Sequence, residues 1–244
     1  MIPGAVGLLF TGLWLFAIFD CVINEPEKTA WIVILLFFSF PGSIIYLLIR
    51  WLPRRNSQIP NFFGRWTRKR ELWSAEVDAK NIGKAYQYIK LGDIRYDIAM
   101  YEEAEEAYQM ALEKESDNNQ ALWGLASAQI KNKKFVLAKE NLEKLLEIDP
   151  EYKYGDASLA YGETLFNLQE LDSAKEHLQR HLKSWTHPEA AITLAKILAE
   201  EGDRKSAHEC LQNMISKLKG SSYFHYKRHR RAVSRAEKLL RKLS

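Results

Sequence analysis

Residues 85–118 read AYQYIKLGDIRYDIAMYEEAEEAYQMALEKESDN, and residues 119–152 read NQALWGLASAQIKNKKFVLAKENLEKLLEIDPEY. When they are aligned at a period of 34, both segments contain a leucine followed by a small residue, then an aromatic residue, then an alanine three positions later. A fixed period of this length indicates a repeat protein built from stacked helical units. We therefore predict an all-α fold in which neighbouring units bury a continuous apolar core.

The shared positions are occupied by small or large apolar residues. In the first segment they are Leu91, Gly92, Tyr101, Ala104, Tyr108, Ala111 and Leu112, and in the second Leu125, Ala126, Phe135, Ala138, Leu142, Leu145, Leu146 and Pro150. Two further units follow, and the last departs most, since Arg204 replaces the aromatic residue and Lys219 the terminal proline. The pattern resembles the tetratricopeptide repeat (TPR). The resemblance covers four repeats, at 85–118, 119–152, 155–187 and 188–221, and implies an α-solenoid of about four helix pairs.

The segments on either side of the repeats are basic. Residues 222–244 are predicted to form a C-terminal helix with Ala232, Ala236 and Leu240 facing the repeats, as the end of a solenoid requires. Residues 56–84 are predicted to be a basic and aromatic linker that includes a helix. The body at 71–216 has 27 acidic residues against 17 lysines and arginines. The chain's net charge of +4 therefore combines an acidic body with two basic flanking segments.

Two apolar stretches precede the linker, at 5–23 and 30–52, joined by the polar turn NEPEKT. Each has about the 20 apolar residues needed to cross a bilayer. A cleaved signal peptide is disfavoured, because residues 1–10 carry no charged side chain and no small-residue cleavage site follows. We therefore predict a transmembrane hairpin over residues 1–55, with its second arm bent near Pro41.

Residues 6–55 resemble the N-terminal membrane hairpin that precedes phospholipase D-type nucleases and cardiolipin synthases. The resemblance is carried by Trp14, Asp20, Trp31, the pair Pro41-Gly42, and Tyr46. It implies a membrane anchor and no phospholipase activity, because that chemistry belongs to a separate domain. Asp20 is expected either to reach water near the interface or to make a polar contact with a functional role.

The basic residues after the second stretch predict the orientation of the hairpin. They are Arg54, Arg55, Arg65, Arg68, Lys69 and Arg70, and we expect them either to face anionic membrane lipid or to act only as a topology signal. The predicted localisation is an integral membrane protein with two spans and both termini in the cytoplasm. Two cysteines, Cys21 and Cys210, make no disulfide framework.

No motif of an active site is complete. His225 and Lys227 begin the phospholipase D motif, but Ala232 stands where its aspartate is required. His208 and Glu209 begin a zinc-protease motif without its second histidine, and the i, i+4 pair His177 and His181 lacks the glutamate. We predict no enzyme activity, no metal and no cofactor, and we expect His181 to pack and His177 to be exposed.

The concave groove of a solenoid is the candidate site. In TPR proteins it is lined by residues 2, 5, 9, 12 and 13 of each unit, and the resemblance carries this role to Ile89, Asp93, Tyr96, Asp97, Trp123, Ser127, Ile130, Lys131, Leu159, Glu163, Phe166 and Asn167. Asp156, Ile192, Lys196 and Glu200 extend the set. The wall is aromatic and aliphatic with an acidic fringe, which fits an amphipathic helix or an extended segment with basic flanks. Packing between helices is an equally open role for each aromatic residue.

The function we predict is a membrane-anchored TPR adaptor or scaffold that binds another protein, for the assembly or maintenance of a membrane complex. One alternative is a non-catalytic accessory or regulator of phospholipid metabolism. Another is a nucleic-acid binder that uses Lys227, Arg228, Arg230, Arg231 and Arg235 on the C-terminal helix, although nucleic acid is the less favoured partner.

Overall fold

The computed structural model describes residues 4–24, 28–51 and 68–243, and within these ranges it contains thirteen α-helices and no β-strand. The chain divides into two compact units, Met1–Phe62 and Phe63–Ser244. The all-α prediction is confirmed for the described residues.

The first unit contains α1 (Gly4–Asn24), α2 (Lys28–Phe37), α3 (Ser39–Tyr46) and a short π-helix (Leu47–Trp51). The second apolar stretch is therefore interrupted between α2 and α3, where Ser39 has a φ of 30°. Pro41 explains the interruption, because its ring displaces the carbonyl four residues earlier and it has no amide to donate. The break thus falls two residues before the proline.

Two hydrogen bonds hold these helices together. The Tyr46 hydroxyl donates to the Asp20 carboxylate at 2.7 Å, and the Trp14 indole donates to the Leu35 carbonyl at 2.8 Å. Gly42 of α3 lies close to α2, since a Cβ there would lie 2.9 Å from the Ile34 carbonyl oxygen. Asp20 therefore ties α1 to α3.

The prediction of two membrane spans is wrong for this structure. Within the described ranges, no helix combines the length and the apolar character that crossing a membrane requires. The second stretch consists of two α-helices of ten and eight residues, separated at the interruption, and a π-helix of five residues. The predicted localisation as an integral membrane protein with cytoplasmic termini is contradicted with it.

The second unit is a series of helices, each packed on the next. They are α4 (Lys69–Ile82), α5 (Ala85–Asp97), α6 (Tyr101–Lys114), α7 (Asn119–Lys131), α8 (Phe135–Ile148), α9 (Asp156–Asn167), α10 (Leu171–Ser184), α11 (Pro188–Glu200), α12 (Arg204–Lys219) and α13 (Tyr223–Leu243). Local sequence signals explain several starts: the Asn118 side chain accepts the amides of Gln120 and Ala121, and Pro188 opens α11.

Small residues allow the helices to approach each other. The Tyr108 ring of α6 packs directly over Gly92 of α5 and Gly124 of α7, where any Cβ would lie within 3 Å of it. Neighbouring first helices also contact each other, α5 with α7 and α9 with α11. The core consequently runs from repeat to repeat along the unit, as the periodicity predicts.

Three of the turns between paired helices have one geometry. Ala99, Lys133 and Gln169 adopt left-handed φ values of 61°, 60° and 62°. The amide that follows each of them donates to a carbonyl five residues back, at 2.8–3.1 Å. This bond satisfies a carbonyl at the end of the first helix and reverses the chain. The fourth turn places Gly202 at the equivalent position, with φ 86°.

The helix α13 packs against α11 and α12 and closes the series. Its buried residues are Ala232, Val233 and Ala236, with Leu239 and Leu240 partly buried against the same core. At the other end α4 packs on α5 through Ala75 and Ala79.

Candidate protein-binding groove

The predicted groove residues belong to the first helices of the repeats, α5, α7, α9 and α11. Among the twelve positions first assigned to the groove, Ile89 is buried, seven are half-buried and the others are exposed. The half-buried ones are Tyr96, Trp123, Ser127, Ile130, Leu159, Glu163 and Phe166, and the exposed ones are Asp93, Asp97, Lys131 and Asn167. Ile89 packs in the core with Ala104 and Tyr108, so it supports the groove from behind.

Asp93 is the centre of a hydrogen-bond network across two repeats. One carboxylate oxygen accepts the Tyr108 hydroxyl at 2.7 Å, and the other accepts the Gln120 amide at 3.2 Å. Burial and this bond to Asp93 raise the pKa of Tyr108 far above its usual value, so its hydroxyl stays protonated and remains a donor. The Asp93 carboxylate is therefore fixed in position although it is exposed.

Tyr96 and Asp97 lie beside this network. The Tyr96 ring meets the Tyr101 ring edge-on at 5.3 Å, and burial raises the pKa of Tyr96, with smaller effects from Tyr101 and Asp97. Asp97 accepts a hydrogen bond from the Arg68 guanidinium at 2.6 Å. Arg68 also binds Glu71, so this member of the predicted lipid-facing set is engaged with acidic side chains.

The other five residues predicted to face lipid fall into two groups. Lys69 and Arg70 are exposed on the first turn of α4, whereas Arg54, Arg55 and Arg65 lie outside the described residues.

Trp123 of α7 lies in an aromatic cluster that the repeat pattern does not predict. Its ring centroid is 6.1 Å from that of Tyr152, and the Lys153 ammonium lies 5.3 Å from the Trp123 centroid and 5.8 Å from the Tyr152 centroid. Burial raises the pKa of Tyr152, with smaller effects from Asp149 and Asp93. Tyr152 lines one surface pocket with Gln120, the residue that donates to Asp93, so Asp93, Trp123 and Tyr152 lie together and are called the aromatic wall.

In the half of the groove formed by the third and fourth repeats, charged side chains contact one another and an aromatic ring. The Lys196 ammonium lies 5.7 Å from the Phe166 ring centroid, and Arg235 of α13 donates to Glu189 of α11 at 2.8 Å. Burial raises the pKa of Glu163; Glu189 raises it further, and Lys196 and Arg235 oppose the shift. The C-terminal helix thus brings a positive charge to the acidic residues of the last two repeats.

The remaining residues predicted to line the groove differ in their burial. Leu159 packs against the core of the last repeats and Ile130 against that of the second. Ile192 is buried, while Lys196, Glu200 and Asp156 are exposed. Asn167 donates to the Glu163 carbonyl at 2.7 Å.

Sequence reasoning missed Tyr108, Tyr152 and Lys153, and it omitted Gln120 although Gln120 is residue 2 of the second unit. Tyr108 is on a second helix, whose residues the groove rule ignores. Tyr152 and Lys153 lie between repeats, in a 3₁₀ segment (Tyr152–Gly155) where Lys153 and Tyr154 have positive φ. The available signal was the aromatic run at Tyr152 and Tyr154, directly before a repeat boundary.

His177, His181 and His187 form a chain of contacts in which His181 is buried and the other two are half-buried. His181 is 3% exposed and His177 is half-buried, and both imidazoles lie within 3.0 Å of the Ser158 hydroxyl. His181 also contacts the His187 ring nitrogen at 2.9 Å, and His187 lies 3.6 Å from Asp156. Within the described residues, no three or more histidine, cysteine, aspartate or glutamate side chains form a group that could hold a metal ion. The packing expected of His181 is observed, and the exposure expected of His177 is not.

Two family models match the chain. Residues 130–184 match the tetratricopeptide repeat. Residues 12–51 match the phospholipase D-nuclease N-terminal family. Both resemblances predicted from the sequence are therefore confirmed.

Several solved structures share the helical solenoid. MamA 41-end from Desulfovibrio magneticus RS-1 aligns with a TM-score of 0.60 at 16% identity, over 65% of this chain and 90% of that one. A MamA RS-1 double mutant gives 0.59 at 16% identity, over 63% and 88%. YrrB, described as a TPR protein with an unusual peptide-binding site, gives 0.52 at 22% identity, over 69% and 89%. At these low sequence identities the structural alignments show a common fold and nothing further. No curated protein matches the chain by sequence.

Proposed function

We propose that this protein is a non-catalytic interaction scaffold whose TPR unit binds a segment of another protein. The wall of Asp93, Trp123 and Tyr152 carries this proposal, because it presents half-buried aromatic faces beside a carboxylate held in place by two hydrogen bonds. Side chains positioned in this way bind a partner at little cost in lost freedom. The peptide-binding site described for YrrB, which has the same fold, supports a peptide or helix as the ligand.

The charges of the wall favour a partner segment with basic flanks. Asp93 and Asp97 are exposed carboxylates on α5, and the repeats as a whole are acidic. An aromatic or aliphatic anchor of the partner would displace the Lys153 ammonium from the Trp123 ring, and a neighbouring lysine or arginine would pair with Asp93. We propose the assembly or maintenance of a protein complex as the process served.

The first prediction concerns Trp123. We expect Trp123→Ala to weaken binding of a selected peptide by about tenfold or more, because an aromatic anchor at the centre of an interface contributes about 2 kcal/mol or more. Peptides are selected from a random display library with the intact protein, and their affinities are measured by fluorescence anisotropy. The selected sequences that lose affinity in Trp123→Ala should combine an apolar anchor with basic flanks.

Trp73→Ala is the matched control. Trp73 lies on α4 with 66% of its surface exposed, so the same truncation there should leave the affinity unchanged. Circular dichroism of both variants checks that the helices are intact. Equal affinities for the two variants, or a selection in which no peptide with basic flanks loses affinity in Trp123→Ala, would contradict the proposal.

A further inference from the structure

A cavity of about 300 Å³ lies between the last helices, away from the aromatic wall. Its apolar lining comes from Leu182, Trp185, Pro188 and Met214, and the Cys210 thiol also faces it. The volume is at the lower end of the range of about 300–1,000 Å³ found for ligand pockets. The cavity is therefore large enough for one apolar side chain of a partner.

The polar residues of the cavity are mainly basic. Lys217, His187 and His225 line it together with Asn213 and Thr186, and Lys217, Asn213 and Thr186 are exposed. None of the lining residues is acidic. A ligand group next to the apolar anchor would thus meet positive charge.

The surface that continues from the cavity is basic as well. His225 belongs to the first turn of α13, where Tyr223 and Phe224 are 68% and 82% exposed. Beyond them α13 carries exposed Lys227, Arg228, Arg230, Lys238, Arg241 and Lys242, and Glu237 is the one acidic residue of the helix. Glu237 is already paired with Lys219 at 2.8 Å.

We infer that this cavity and the adjoining face of α13 form a second docking site, which takes an acidic peptide segment through one apolar anchor residue. The anchor enters between Trp185 and Met214, and the acidic residues beside it pair with Lys217 and with the start of α13. The site goes beyond the proposed function, because its charge preference is opposite to that of the aromatic wall. One chain could then hold two partners of opposite charge.

The lining favours a peptide over a nucleic acid. Single-stranded nucleic acids bind through bases stacked on aromatic faces along a basic groove. Here the lining includes the aliphatic side chains Leu182, Pro188 and Met214, and the Tyr223 ring already has the Lys227 ammonium 5.8 Å from its centroid. A half-open cavity with these apolar side chains on its lining fits a branched side chain such as leucine.

The test uses the full chain and three fluorescein-labelled probes. The first is a glutamate-rich peptide with a single central leucine, the second has glycine in place of that leucine, and the third is oligothymidylate. We expect the leucine peptide to bind at least about tenfold more tightly than the glycine peptide, since the buried anchor supplies the specificity. Rising salt should weaken binding, because the flanking contacts are exposed ion pairs.

Two variants and a matched control locate the site. Lys217→Glu should weaken the leucine peptide by about tenfold, because it places like charges together. Lys205→Glu makes the same change at an exposed position on α12 that does not line the cavity, and it should have no comparable effect. Asn213→Trp should fill the cavity from its exposed rim and remove the preference for leucine over glycine. Thr186→Trp tests the same point from the opposite side.

The inference is overturned if the leucine and glycine peptides bind equally, or if Lys217→Glu and Lys205→Glu behave alike. Tighter binding of oligothymidylate, unaffected by Asn213→Trp and Thr186→Trp, would instead make α13 a nucleic-acid surface. Trp123→Ala should leave this binding unchanged, which separates the second site from the aromatic wall.

Discussion

At the scale of single residues, Tyr108 joins the packing of the repeats to the geometry of the groove. Its ring fills the space left by two glycines, and its hydroxyl fixes Asp93 at 2.7 Å. Gly92 is part of the repeat pattern, so its role in close packing was predictable from the sequence. The bond to Asp93 was not, because a 34-residue period does not say which polar tips meet across two helices.

This arrangement predicts the effect of Gly124→Ala. The added Cβ would lie 2.3 Å from Tyr108 Cε1, and a ring held between two helices cannot move away without disturbing both. We expect a loss of about 3 kcal/mol in the free energy of unfolding, at the upper end of overpacking effects. Urea denaturation followed by circular dichroism measures it.

Gly220→Ala is the control at the residue scale. A Cβ at Gly220 would meet the Ser216 carbonyl oxygen at 3.3 Å, and its φ of −81° suits alanine. Its effect on stability should therefore be small. In a Tyr108→Ala background the added cost of Gly124→Ala should largely disappear, and an undiminished cost would contradict the clash as its cause.

At the scale of elements, the histidine chain links α9, α10 and the loop that leads to α11. Ser158 is on α9, His177 and His181 are on α10, and His187 directly precedes α11. Burial lowers the pKa of His181 to about 4, with smaller effects from His187 and His177. The neutral imidazole is thus the form that the folded state accepts.

The lowered pKa predicts a loss of stability in acid. Because the unfolded chain binds a proton at His181 near pH 6.5 and the folded chain only near pH 4, stability falls as the pH drops through this window. We expect about 2 kcal/mol to be lost by pH 5 from this residue. Urea denaturation at pH 7 and pH 5 measures the difference.

His181→Leu should reduce this dependence, because leucine does not titrate, while His177, whose pKa is also lowered by burial, retains a smaller part of it. His208→Leu is the control, since His208 lies on α12 outside the chain of bonds and should retain the full pH effect. A pH dependence that persists undiminished in His181→Leu would assign the acid sensitivity to other groups.

Elements were predictable where periodicity acts and unpredictable where a local break overrides it. The repeats place helices at α5 to α12, and the cap of α7 follows from Asn118. The second span was predicted from apolar length, with a bend near Pro41; the structure instead breaks the helix at Ser39 into pieces too short to span a membrane. The turns at Ala99, Lys133 and Gln169 carry no glycine, so their left-handed residues gave no signal in the sequence.

At the scale of the whole molecule, α13 acts as the end of the repeat unit. Truncation after Gly220 would expose the core that Val233, Leu239 and Leu240 now cover. We expect about 5 kcal/mol to be lost, from three buried and several partly buried apolar side chains. Thermal unfolding followed by circular dichroism, with gel filtration for self-association, measures the effect.

Arg235→Gln is the control for this truncation. It removes only the exposed ion pair with Glu189, which contributes about 1 kcal/mol at most. A truncated chain as stable as Arg235→Gln would show that the repeats need no terminal helix.

The separation of charge along the repeats has a consequence for how partners meet. A basic segment on the aromatic wall and an acidic segment on the cavity beside α13 would be carried by the same chain. Their encounter would then depend on an effective concentration set by the spacing of the two sites, which reaches about the millimolar range for short connections. Two partners too dilute to find each other in solution would be brought within reach, with no change in their own affinity.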